Sequence, residues 1–145
     1  MITLRQWLYS GLLMLFSMTA SAKPVIEVIT SDRYPVTGVQ SALNQGYAVQ
    51  IYNLNDGKKL VKRLAGTLPP NQTAAKQKLE NTLHNMGQQA VQAAFMKAFK
   101  AQQLAAQYGL DRYPAIVFEH GRSVIYGVTD LNAALKRYHR YKITE

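Results

Sequence analysis

The chain has 145 residues, with 17 Lys and Arg against 8 Asp and Glu, a formal charge of +9 and no cysteine. That length fits one domain of ordinary size, and a hydrophobic fraction of 48% supplies a core, which excludes wholesale disorder. Without cysteine there can be no disulfide framework, thiolate metal site, iron–sulfur cluster or thiol-based catalysis.

The first 22 residues read as an export signal. Arg5 supplies a positive start, the run from Trp7 to Phe16 is apolar apart from Ser10 and Gly11, and Ala20-Ser21-Ala22 has the small-x-small pattern of a signal-peptidase site. The apolar run is shorter than the ~20 residues needed to span a bilayer, although an uncleaved N-terminal anchor is the alternative reading. We therefore expect a signal peptide over residues 1–22, a mature domain over 23–145, and a periplasmic location. Cleavage would remove one of the 17 basic residues and no acidic one, so the mature surface stays cationic and favours anionic partners. A cationic surface without any partner is equally ordinary.

Val25 to Thr30 is a β-branched run bounded by Pro24, expected to be a buried strand. Ser31 to Gly38 reads as a loop and Gly38 to Asn44 as a brief helix closed by Gly46. A second strand follows from Ala48 to Leu54, where polar and apolar residues alternate. Asn55-Asp56-Gly57 is compatible with a hairpin turn. The spacing of Leu60, Val61, Leu64 and Leu68 favours instead a short helix with Asp56 as its cap and Gly66 as its stop. Its outer face holds Lys58, Lys59, Lys62 and Arg63.

Leu68-Pro69-Pro70 interrupts the chain, after which Asn71 or Thr73 can cap a long helical stretch kinked at Gly87 and running to Tyr108, with Gly109 as its stop. Ala115 to Glu119 and Ser123 to Gly127 read as two strands around a His120-Gly121-Arg122 turn. Thr129-Asp130 caps a last amphipathic helix with Leu131, Ala134, Leu135 and Tyr138 inward and Lys136, Arg137 and Arg140 outward. The sum is a single α/β domain: a central mixed sheet of about four strands flanked by helices.

Strand, helix, strand, helices, hairpin, helix, with Tyr113-Pro114 directly ahead of the third strand, resembles the thioredoxin fold. The resemblance implies a cis-proline at Pro114, facing the loop that leaves the first strand. It also places Tyr34 and Thr37, around Pro35, where thioredoxin-like enzymes carry Cys-x-x-Cys. Neither residue can exchange disulfides, because that chemistry needs a thiolate and a sulfur leaving group. The segments Val28 to Thr37, Leu64 to Pro69, Tyr108 to Pro114 and Tyr126 to Leu131 are similar to thioredoxin-like exported proteins of integrating conjugative elements, relatives of TrbC-type transfer components. That resemblance implies a periplasmic, non-enzymatic part of a type IV secretion-like mating apparatus, whose partners are other proteins of the apparatus.

A thioredoxin-like groove without thiols can still dock an extended polypeptide through its main chain. Tyr34, Pro35, Thr37, Tyr113 and Pro114 are the expected groove residues, with Arg33 and Arg112 at its edge; the tyrosines could equally do no more than pack on the sheet edge. A second reading is a basic patch for DNA or anionic membrane, formed by Lys58, Lys59, Lys62 and Arg63 with Lys136, Arg137 and Arg140 if the two helices share a side. His84, His120 and His139 lack paired metal-ligand spacing, so no metal, cofactor or small-molecule substrate is expected.

Overall fold

The computed structural model describes residues 22–66 and 68–144, so the expected signal peptide, apart from Ala22, lies outside the described residues. In chain order the elements are β1 (Val25–Thr30), α1 (Val39–Asn44), β2 (Ala48–Asn53), α2 (Asp56–Ala65), α3 (Gln72–Met86), α4 (Gln88–Ala98), α5 (Lys100–Gln107), β3 (Ala115–Phe118), a 3-10 turn (Glu119–Gly121), β4 (Ser123–Tyr126) and α6 (Leu131–Thr144). The four strands form one mixed sheet in the order β2-β1-β3-β4. β1 runs parallel to β2 across the α1 crossover, whereas β3 is antiparallel to both β1 and β4. The expected α/β class with a four-stranded sheet is present, in an arrangement compatible with a thioredoxin-like one.

The two central strands are the most continuously apolar, as strands covered on both faces must be. Alternation along them divides the core. Ile26 and Val28 join Ile116 and Phe118 under Ala42 of α1 and Leu131, Ala134 and Leu135 of α6. Ile29 and Val117 turn the other way, onto Ala101 and Leu104 of α5. The sheet thus carries α1 and α6 on one face and α5 on the other. On α5's side, α4 touches α5 and α2 touches both α3 and α4. Neither α3 nor α4 has a fully buried residue.

Helix ends follow local chemistry. The Asn71 side-chain oxygen accepts from the N–H groups of Thr73 and Ala74 at 2.9 and 3.1 Å, which caps α3. Gly109, at φ +62°, ends α5: its N–H donates to Ala106 and the next N–H, of Leu110, donates to Ala105.

Three local expectations need correction. The stretch after Gly87 is not one helix: it breaks again at Phe99 (φ −102°, ψ 9°), whose ring fills the space above Gly57 of α2 and stacks on Phe95. That break lets α5 turn onto the sheet while α4 stays outside it. Asp56 is the first helical residue of α2 rather than its cap; Asn55 holds the cap position, and Asp56 lies 3.7 Å from the Lys59 ammonium. The tight turn between β3 and β4 is a 3-10 turn in which Glu119, His120 and Gly121 all have positive φ.

Candidate functional site

The site is built on the C-terminal end of β1. Register pairs Ile29 with Ala115, so one step further along the antiparallel ladder brings Thr30 level with Pro114. The Thr30 hydroxyl donates to the Tyr34 carbonyl at 2.6 Å, and the Tyr34 N–H donates to the Ser31 carbonyl at 2.9 Å. These bonds fold the loop 31–37 back over the strand end. The Tyr113–Pro114 peptide is cis, as the thioredoxin resemblance implies.

A third segment, absent from the sequence-based site, ties the loops together. The Gly127 N–H donates to the Pro114 carbonyl, the Thr37 N–H to the Thr129 carbonyl, and the Leu131 N–H to the Thr37 carbonyl, at 2.9, 2.9 and 3.0 Å. Thr37 and Asp130 form an isolated parallel bridge. Tyr34, Pro35, Thr37, Tyr113 and Pro114 therefore lie at the same end of the sheet. Their exposure is unequal. Pro114 is buried, so it supports the surface from beneath and does not line it, which corrects the expected groove. Tyr113 is half-buried and packs on the Ile29–Leu104 cluster. Arg33, Pro35 and Thr37 are exposed, and Tyr34 is half-buried.

Charge at this end is partly committed. The Asp32 carboxylate accepts from the Lys59 ammonium at 2.6 Å and the Asn53 amide at 2.7 Å, and these two bonds hold its pKa below the usual carboxylate range. Arg112 makes two bonds to Asp111, at 3.2 and 3.1 Å, and its guanidinium lies 5.3 Å from the centroid of the Tyr126 ring. Of the two arginines expected at the edge, Arg112 is thus occupied, while Arg33 stays exposed. A composition scan could not reveal the Asp32–Asn53–Lys59 network, because its members come from a loop, a strand end and a helix.

The surface has one further feature suited to docking. Among the described residues, neither the N–H nor the C=O of Tyr113 has a hydrogen-bond partner. Unpaired main-chain groups of this kind are what an extended polypeptide would satisfy. Among the described residues, no group of three or more His, Cys, Asp or Glu could hold a metal ion.

The seven basic residues do not form one patch. Lys58, Lys59, Lys62 and Arg63 stand on α2, on the α5 side of the sheet. Lys136, Arg137 and Arg140 stand on α6, which covers the opposite face. The condition for a single surface is therefore not met. Lys59 is, besides, committed to Asp32 and Asp56.

Compared with known proteins, the chain is matched over residues 23–144 by the model of a family described as a protein of unknown function (DUF1525). No curated protein and no solved structure matches it.

Proposed function

The chain belongs to the DUF1525 family, and we propose that this member is a periplasmic, thioredoxin-like, non-redox component of a conjugative transfer apparatus that holds an extended segment of another transfer protein. The observation that carries the reading is the unpaired Tyr113 main chain at the sheet end where the 31–37 loop folds back. A strand laid there gains main-chain bonds from Tyr113 and contact with Tyr34 and Pro35. The absence of cysteine from the chain removes thiol exchange and leaves docking. The export-like N-terminus and the resemblance to exported proteins of integrating conjugative elements support the periplasm and the mating apparatus as the setting.

The test places a photoreactive residue at position 34 in donor cells carrying the transfer genes. A cross-linked adduct with one protein of the apparatus is the expected result. Position 34 yielding no adduct in cells that need the protein for transfer would overturn the docking surface.

The second reading, binding of DNA or anionic membrane, draws on the exposed cations of α2 and α6. Steep loss of retention with salt on either ligand would favour it; a salt-insensitive protein complex favours docking.

A further inference from the structure

At the far edge of the sheet, among the described residues, β4 has no strand neighbour on its outer side. The Gly127 N–H bonds to the Pro114 carbonyl, which fixes the phase of the β3–β4 ladder. Antiparallel residues alternate between facing the partner strand and facing away from it. Ile125 and Ser123 therefore turn their main-chain groups toward β3, and Val124 and Tyr126 turn theirs outward. Two N–H and two C=O groups, at two-residue spacing, line an open edge.

A cleft of about 370 Å³ runs beside that edge, between β4 and α6. Val124, Ile125, Tyr138 and Tyr141 give it an apolar lining, and Arg122 and Arg137 stand at its rim. Both arginines are exposed, and among the described residues neither is salt-bridged to a carboxylate. The nearby acid, Glu119, is held by the Lys142 ammonium at 2.7 Å. The rim therefore offers two positive charges beside a row of unpaired main-chain groups.

We infer that this edge binds an extended acidic peptide, which adds as a strand to β4 and places its carboxylates against Arg122 and Arg137. Nucleic acid fits the same features less well. A base-stacking platform needs free ring faces. Tyr138 is stacked on Phe118 at 4.2 Å, with the Lys142 ammonium 5.9 Å from its ring centroid. Tyr141 alone is left to stack. Nucleotides also leave the outward N–H and C=O pairs of Val124 and Tyr126 unmatched, whereas a strand satisfies both in register. The cleft and its two arginines lie along β4, while Tyr126 at the end of the edge adjoins the Tyr113 end through Arg112; the edge adds a second contact to the proposed role.

The test titrates the protein, as recovered from the cell, with a hexapeptide alternating valine and glutamate. The controls are its valine–lysine counterpart and a ten-residue oligothymidylate. The acidic peptide is expected to bind about tenfold or more tighter than the basic one. On binding, the backbone amides of Val124 and Tyr126 become protected from hydrogen exchange. The double variant Arg122→Gln, Arg137→Gln removes the preference, and Val124→Pro, which deletes the outward N–H along with the Val124 side chain in the cleft, weakens binding of the acidic peptide provided its urea midpoint shows it folded. Unchanged exchange at Val124 and Tyr126 in the unsubstituted protein would overturn the inference without recourse to any variant. So would equal affinity for the two peptides, or binding of the oligothymidylate alone. Protection at Val124 and the effect of the arginine pair report the β4 edge, whereas the cross-link from position 34 reports the Tyr113 end, so the two readings fail separately.

Discussion

Glu27 sits in the middle of β1 at 7% exposure, a carboxylate inside a sheet. What makes this tolerable is Tyr108, whose hydroxyl donates to the Glu27 carboxylate at 2.6 Å. Burial, then the hydrogen bond to Glu27, pushes the Tyr108 hydroxyl up to about 12. A raised value means that folding favours the protonated phenol. Its contribution to stability is complete below the ordinary tyrosine value of 10.0 and is lost as pH rises through about 12. Tyr108→Phe should cost about 1–3 kcal/mol at pH 7, because it removes the hydrogen bond to the buried Glu27 carboxylate and leaves it only the His120 ring at 4.0 Å. It should also flatten the fall in stability between those two pH values, as read from urea midpoints across the range. A midpoint unchanged at pH 7 would contradict the role given to this bond. Gly121 guards the same pair. At φ +98°, a Cβ there would come within 2.7 Å of the Tyr108 ring. Gly121→Ala should therefore lower the unfolding free energy by about 2 kcal/mol, read as a lower urea midpoint, through backbone strain and displacement of that ring, whereas Gly46→Ala meets strain alone, with no atom in the way.

At the scale of elements, α3 and α4 stand apart from the sheet with no fully buried residue, while α5 buries Ala101, Leu104 and Ala105. Helices held by few buried contacts open locally before the core does. Amide exchange should be fastest in α3 and α4, slower in α5 and slowest in β1 and β3. Asn71→Ala, which removes the cap of α3, should destabilise that helix by about 1 kcal/mol and accelerate its exchange without changing exchange in β1. A uniform slowing pattern across all helices would contradict this hierarchy. The sequence pointed to the start of α3, at Asn71 or Thr73, and to a kink at Gly87, because caps and glycines act through their own local chemistry; Asn71 is the cap, and Gly87 separates α3 from α4. The sequence could not show the break at Phe99, which depends on the meeting of that ring with Gly57 some forty residues earlier in the chain. Pro114 was legible as the residue ahead of β3, but not as buried. Its carbonyl is bonded by the Gly127 N–H of the neighbouring strand end, and its burial, like that bond, is a tertiary fact. The split of the basic residues between two sides was illegible for the same reason. Periodicity tells which face of a helix is polar, but not which face of the sheet the helix covers.

Across the whole molecule, the sheet separates two cationic surfaces, and that separation sets how the protein can respond to a polyanion. On α2, Lys58, Lys62 and Arg63 remain for a ligand once Lys59 is engaged by Asp32 and Asp56. On α6, Lys136, Arg137 and Arg140 point outward from the opposite face. A short single-stranded oligonucleotide can lie on one side only. Each phosphate neutralised contributes about −0.7 to the slope of log K against log salt. Three contacts give a slope of about −2, and these six residues acting together would give about −4. The expected slope for oligothymidylate is the smaller one. Neutralising Lys58, Lys62 and Arg63 to Gln should remove one population of sites and leave the slope of the remaining one unchanged. A slope near the larger value, abolished by either set of substitutions, would mean that both helices reach the same strand. With α6 over one face of the sheet and α2 packed on α3 and α4 on the α5 side, that outcome is not expected.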